Sequence, residues 1–240
     1  MRSRFSPLAL AAFEGCFLPW MRRRLNAVRV TGLPRALRAD VPLVLAANHV
    51  SWWDPFTLRE VHRSVRPGSP LYTLASEAEL RRLPYFRLTG AFGVDAARPA
   101  SVRAAVRFLR DRVRERRDST LICFPQGRIW PSHRRPLGFR RGIEAFARPI
   151  APCIVLPVAI HHEPGTTAAP TVYLSAGAPV YVTRDLDHGL VEAVVEAECD
   201  AILDFLSLHG EDAGRRWPGP HGRLDAPPAA FPTPCLARLG

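Results

Sequence analysis

A histidine and a carboxylate that lie close together in the chain are the residues best suited to chemistry. His49 and Asp54 belong to the stretch Asn48-His-Val-Ser-Trp-Trp-Asp-Pro55, which follows an apolar run. A tight turn of this length can return the Asp54 carboxylate to the imidazole of His49, where it selects the tautomer and stabilises the imidazolium. This spacing predicts His49 as a general base oriented by Asp54. Asp54 also fits the N-cap of the following helix, which is an alternative reason for its presence.

The chain contains no G-x-S-x-G turn that would present a serine nucleophile. A His-Asp pair without such a nucleophile must activate water or a substrate hydroxyl. The run His161-His162-Glu163 invites comparison with a metal site. However, adjacent side chains of an extended segment point to opposite sides, and no further ligand lies at helical spacing. We interpret this run as a strand-end or loop feature and expect no metal site.

An apolar run from Val41 to Ala47 predicts a strand that is buried on both faces, just before His49. A helix is predicted from Pro55 to Val65, with Pro55 at its first position. Further strands are predicted at 28–31, 71–75, 120–124, 153–160, 171–175 and 180–183, and further helices at 98–117, 142–147 and 190–208. The alternation predicts a single α/β domain with a mixed, largely parallel sheet flanked by helices.

Four blocks of the chain resemble, in order, those of the glycerophospholipid acyltransferases, the 1-acylglycerol-3-phosphate acyltransferase family. Asn48, His49 and Asp54 are similar to the first motif, N-H-x-x-x-x-D. The second to fourth blocks are represented by Gly90-Ala-Phe-Gly-Val-Asp95, Phe124-Pro-Gln-Gly127 and Val155-Leu-Pro-Val-Ala159. The resemblance covers roughly residues 25–185.

This resemblance implies transfer of a fatty acyl group from a thioester of coenzyme A or acyl carrier protein to a lipid hydroxyl. His49 would take the hydroxyl proton, and Asp54 would orient His49. Substrate would be bound by residues of the four blocks and their neighbours: Asn48, Ser51, Gly93, Arg98, Phe124, Pro125, Gln126, Gly127 and Arg128. The thioester is a co-substrate, so the resemblance implies no bound cofactor.

The third block departs from the family pattern F-P-E-G-T-R, because it reads Gln126 for Glu and Arg128-Ile129 for Thr-Arg. Two classes of acyl acceptor are therefore possible. One is a lysophospholipid such as lysophosphatidate, held by Arg98, Arg128 or the pair Arg134-Arg135. The other is an uncharged lipid alcohol or glycolipid, with Gln126 contacting a hydroxyl. A third interpretation is a catalytically silent lipid-binding protein on the same scaffold.

The net charge of +11 favours an anionic partner, and all 33 basic residues are Arg. We expect a membrane surface, because zinc-finger and RNA-recognition signatures are missing from the sequence and nucleic acid is therefore disfavoured. The 5 Cys residues include no C-x-x-C pair, which favours a reduced, intracellular setting.

The N-terminus combines an apolar segment, Phe5 to Trp20, with Arg22, Arg23 and Arg24. The segment is shorter than the ~20 residues of a spanning helix and is interrupted by Glu14. It predicts a helix lying in the membrane interface, with a core-packing helix as the alternative. We divide the chain into an interfacial segment (1–24), an acyltransferase domain (25–209) and an irregular Pro/Gly-rich tail (210–240). The expected location is peripheral, on the cytoplasmic face of a membrane.

Overall fold

Strands and helices alternate along most of the chain. The computed structural model describes residue 3, residues 6–35 and residues 37–218. The strands are β1 (Ala27–Thr31), β2 (Leu43–Ala47), β3 (Leu71–Ser76), β4 (Ala91–Val94), β5 (Thr120–Cys123), β6 (Cys153–Glu163), β7 (Thr171–Ala176) and β8 (Val180–Val182). The α-helices are α1 (Pro7–Arg22), α2 (Asp54–Val65), α3 (Glu77–Arg82), α4 (Pro99–Glu115), α5 (Gly142–Ala147), α6 (His188–His209) and α7 (Ala213–Arg216).

All strands belong to one sheet with the order β1-β7-β6-β2-β5-β3-β4, and β8 pairs with β6. The pairings β1–β7, β6–β2, β2–β5, β5–β3 and β3–β4 are parallel. The pairings of β6 with β7 and β8 are antiparallel. The predicted α/β fold with a mixed, largely parallel sheet is confirmed.

The central strand β2 ends where the His-Asp turn begins. Every residue of β2 is fully buried, because one apolar layer covers each face of the sheet. Leu109 of α4 and Val195 of α6 belong to one layer, and Leu58 of α2 belongs to the other. The parallel strands β2, β5 and β3 have their carboxyl ends at the same edge, which is the usual position of a ligand site in such sheets.

The segment between β3 and α4 holds elements that the sequence analysis did not predict. Helix α3 begins after Ser76, whose Oγ accepts a hydrogen bond from the Glu79 N–H at 3.1 Å. A 3₁₀ helix at Pro84–Thr89 and strand β4 follow. Gly90, between them, has φ 103° and lies so close to the Leu71 carbonyl that a Cβ would collide with it. These elements are too short to show a clear hydrophobic period.

The tail prediction is wrong for its first residues. Gly210–Asp212 form a 3₁₀ helix, which leads into α7, and Trp217 is buried. Trp217 packs against Tyr173 of β7 with ring centroids 4.8 Å apart, and this contact holds the chain after α6 against the sheet. The remainder of the predicted tail, 219–240, lies outside the described residues.

Helix α1 packs on the domain through one face. Met21 and Leu18 are buried, and Phe17 contacts Phe56 of α2 with ring centroids 4.3 Å apart. Glu14 forms ion pairs with Arg59 and Arg63 of α2. The inner face of α1 therefore packs on the core, as the alternative interpretation of the N-terminal segment expected. The opposite face of α1 is exposed. Among the described residues, each helix is too short or too polar to cross a bilayer.

Asn48 links the end of β2 to β6 and thereby anchors the turn that follows. Its Oδ1 accepts a hydrogen bond from the Ile160 N–H at 2.7 Å, and its Nδ2 donates to the Ile160 carbonyl at 2.9 Å. The side chain is fully buried. The expected contact of Asn48 with substrate is therefore replaced by a role in joining two strands.

We expect Asn48→Ala to lower the free energy of unfolding by about 2–6 kcal/mol, because it leaves two buried backbone groups unsatisfied at about 1–3 kcal/mol each. Urea denaturation followed by circular dichroism measures this change. Asn26→Ala is the matched control, since the partly exposed Asn26 makes a side-chain bond to Thr171. An equal loss in both variants would contradict the anchoring role of Asn48.

Candidate active site

The turn between β2 and α2 is organised by the side chain of Asp54. Helix α2 begins at Asp54 itself, and Trp53 occupies the N-cap position. The predicted N-cap role of Asp54 is wrong, because its carboxylate turns back to the preceding loop. Asp54 Oδ2 accepts hydrogen bonds from the N–H groups of Val50 at 2.7 Å and Ser51 at 2.8 Å.

The same oxygen holds the imidazole of His49. The distance from His49 Nδ1 to Asp54 Oδ2 is 2.8 Å, and the His49 ring stacks on Phe124 with centroids 4.1 Å apart. The predicted His49–Asp54 pair is therefore present. When the Nδ1–H of His49 donates to Asp54, Nε2 is unprotonated and can accept a proton from a ligand.

Asp54 is fully buried, yet its hydrogen bonds favour the charged form of its carboxyl. Burial alone would raise the pKa of its carboxyl, but hydrogen bonds from His162 and His49 outweigh burial and hold the pKa below its usual value. The carboxylate can therefore stabilise an imidazolium at His49 without taking the proton itself.

A second imidazole, which the sequence analysis did not assign to the site, contacts Asp54. His162 Nε2 lies 2.9 Å from Asp54 Oδ1. Strand β6 continues to Glu163, beyond its predicted end at Ile160, and so carries His162 alongside the turn. His161 instead contacts Glu163 at 2.7 Å. The signal was the alternation of an extended strand, which sends one of two adjacent histidines to each side.

Gln126 supports His49 from inside the protein. Its Oε1 accepts a hydrogen bond from the His49 backbone N–H at 2.6 Å, and its Nε2 donates to the Leu137 carbonyl at 2.9 Å. Only 2% of the residue is exposed. This placement contradicts the expectation that Gln126 contacts an acceptor hydroxyl, because both ends of its amide are engaged within the chain.

Three other residues expected to bind substrate also serve the scaffold. The Ser51 hydroxyl accepts a hydrogen bond from the Trp53 N–H at 3.2 Å. Gly93 lies in β4, where a Cβ would come within 3.1 Å of Glu77. Arg98 precedes α4 and pairs with Asp95 at 2.7 Å and Glu77 at 2.8 Å. None of the three belongs to the cavity wall described below, which instead brings His49 together with Phe124, Pro125, Gly127 and Arg128.

A cavity of about 680 Å³ opens beside His49. This volume falls within the range of about 300–1,000 Å³ that is usual for small-ligand sites. Most of its wall is apolar and is formed by residues of α1, α2, β3, α3, β4, α4 and α5 and of the loops between them. The apolar and aromatic residues of the wall include Phe13, Trp52, Phe56, Leu74, Leu80, Phe86, Ala91, Val94, Val102, Ile143 and Phe146. Such a wall suits a long hydrocarbon chain.

Arginines add positive charge to this cavity. The Cζ of Arg128 lies 3.9 Å from the ring centroid of Trp130. The guanidinium of Arg140 lies beside Gly127, 3.5 Å from the place that a Cβ would occupy on this glycine. Both line the cavity, and neither forms an ion pair with a described carboxylate. Of the predicted pair Arg134-Arg135, one stacks on Trp130 and the other binds Asp200 of α6 at 2.5 Å.

Comparisons with known proteins agree with this geometry. A family model described as Acyltransferase matches residues 27–161. Among solved structures, the chain is similar to the 1-acyl-sn-glycerophosphate (LPA) acyltransferase PlsC from Thermotoga maritima, with a TM-score of 0.54 and 20% identity. The similarity covers 82% of this chain and 79% of that chain, and at this identity it shows a shared fold. Curated proteins gave no significant match.

The matched region spans more than half of the chain and includes both members of the His49–Asp54 pair. The chain therefore belongs to the acyltransferase family.

Proposed function

We propose that this acyltransferase moves a fatty acyl group from an acyl thioester to the hydroxyl of a lysophospholipid at a membrane surface. The observation that carries the proposal is the position of His49, which is paired with a buried carboxylate and lies on the wall of an apolar cavity. Coenzyme A or acyl carrier protein would supply the thioester.

In this reaction His49 Nε2 takes the proton of the acceptor hydroxyl, and the hydroxyl oxygen attacks the thioester carbonyl carbon. The tetrahedral intermediate collapses with cleavage of the C–S bond. The leaving thiolate receives the proton from the imidazolium, so that ester, thiol and neutral His49 result. General-base assistance contributes on the order of 10²–10⁴-fold, and positioning of both substrates supplies much of the remainder.

The arginines of the cavity support an acceptor that carries a phosphate. Arg128 and Arg140 lie on the same cavity wall as His49 and have no carboxylate partner among the described residues. Guanidinium groups bind phosphate oxygens well because their donors form a planar fork. The uncharged acceptor was suggested by Gln126, which is turned inward, so this alternative has lost its main support.

The exposed face of α1 supports action at a membrane. Between Pro7 and Met21 the only charged residue is Glu14, and it is paired with α2. The exposed residues of α1 up to Trp20 are Leu8, Ala11, Ala12, Gly15, Cys16, Pro19 and Trp20. A helix that faces only water usually carries charges on its outer side. This outer face, followed by exposed Arg22 to Arg24, suits an anionic lipid surface.

The role of His49 as the general base is tested by measuring thiol release when purified protein is supplied with a long-chain acyl-CoA and lysophosphatidate. We expect His49→Ala to lower kcat/KM at least about 100-fold, because the hydroxyl then loses its proton acceptor. His133→Ala is the control, since His133 is exposed on the loop after β5. Equal activity of the two variants would refute the role of His49, and lack of thiol release with any lysophospholipid would refute the proposed acceptor.

The phosphate contact is tested with Arg140→Gln. We expect the KM for lysophosphatidate to rise about tenfold, as for the loss of one charge-assisted hydrogen bond worth about 1.4 kcal/mol, with little change for a neutral monoacylglycerol. Arg141→Gln is the matched control, because the Arg141 side chain is 82% exposed and faces Glu144. If the two acceptors are affected alike, Arg140 does not recognise the phosphate.

Membrane contact is tested by sedimentation with vesicles of phosphatidylcholine and phosphatidylglycerol. The double variant Leu8→Glu/Trp20→Glu should bind at least about tenfold more weakly, because burial of one large apolar side chain contributes about 1.5–3 kcal/mol. Leu208→Glu on α6 is the control, since Leu208 is similarly exposed. Unchanged sedimentation of the double variant would exclude α1 as the lipid-binding face. Deletion of the whole segment 1–24 would be less informative, because it also removes the buried Met21.

A further inference from the structure

We propose that His162 is a positioning residue for acyl transfer, which holds the Asp54 carboxylate in the orientation that His49 needs. The site would then be a His49–Asp54–His162 relay with one shared carboxylate. The inference rests on the proposed function of His49 as the base. His162 lies just beyond the region matched by the family model, which ends at residue 161.

The two carboxylate oxygens of Asp54 have different partners. Oδ2 accepts hydrogen bonds from His49, Val50 and Ser51, all of which belong to the same turn. Oδ1 accepts its hydrogen bond from His162, on β6. The turn therefore fixes one oxygen locally, whereas the other is fixed by a strand 108 positions away in the chain.

The protonation of His162 follows from the charge of Asp54. A carboxylate oxygen and an unprotonated ring nitrogen would both present lone pairs to each other at 2.9 Å, which is repulsive. Nε2 of His162 must therefore carry a proton. A neutral imidazole with its proton on Nε2 satisfies this requirement, so the contact needs no second positive charge in the site.

Loss of this donor would act on His49 through Asp54. Asp54 is fully buried, so a leucine in place of His162 would leave Oδ1 without a donor among the described residues. The carboxylate would then be held through Oδ2 alone and could pivot about this oxygen, which would change the direction of its hydrogen bond with Nδ1 of His49. The second strand contact at Asn48 holds only the backbone before the turn, and so it cannot correct the direction of the carboxylate.

The kinetic test compares His162→Leu with His162→Gln. We expect the Leu variant to lower kcat by about 10–100-fold, the range typical for removal of an outer partner of a functional site, with the KM of both substrates unchanged. Gln can present an N–H near the position of Nε2, and it should restore kcat to within a few-fold. His161→Gln is the matched control, because His161 contacts Glu163 instead of Asp54. Wild-type kcat in the Leu variant, or equal losses of kcat in the Leu and Gln variants, would overturn the inference.

A measurement without substrate separates this inference from the proposed function. Long-range ¹H–¹⁵N NMR spectra of protein labelled at histidine report which ring nitrogen carries the proton. We expect Nε2 of His162 and Nδ1 of His49 to be protonated in the wild type. A His162 protonated only on Nδ1 would overturn the inference even if acyl transfer is observed. An inactive wild type with both expected tautomers would overturn the proposed function and leave the relay intact.

Discussion

The structure of the site depends on one buried negative charge. An ionised carboxylate without partners costs several kcal/mol in the interior of a protein, so Asp54 can stay charged only if hydrogen bonds compensate for burial. Two backbone N–H groups of the turn and two imidazoles provide them. The turn conformation, the start of α2 and the length of β6 all serve to bring these donors to one side chain, and His49 is oriented as a result.

The parallel sheet makes this convergence possible. Strand β2 lies between β5 and β6, so the residues that follow each strand meet at one edge. From β5 come Phe124, which stacks on the His49 ring, and Gln126, which accepts the His49 N–H. From β6 come Ile160, which binds Asn48, and His162. The short turn alone would leave His49 mobile. Contacts from residues of the two neighbouring strands and the loops after them fix its position.

The sequence predicts the features that depend on local spacing. The His49–Asp54 pair, the strand before it and the helix after it could be predicted because each depends on neighbouring residues. The roles of Asn48, Gln126 and His162 could not, because each is decided by a partner from another strand or loop. From the sequence alone, a polar residue near a motif is predicted to contact substrate. Only the fold shows whether its side chain faces the cavity or the protein interior.

The replacement of the family's Glu by Gln126 illustrates how such a change can be accommodated. The Leu137 carbonyl receives a hydrogen bond from Gln126 Nε2, and a carboxylate in the same place would offer it only a lone pair. Gln therefore suits both the His49 N–H on one side and the loop carbonyl on the other. Because the neutral side chain faces inward, its lack of charge need not weaken binding of an anionic acceptor. Arg128 and Arg140 line the cavity and would supply positive charge to such an acceptor, so the altered third block is compatible with the proposed function.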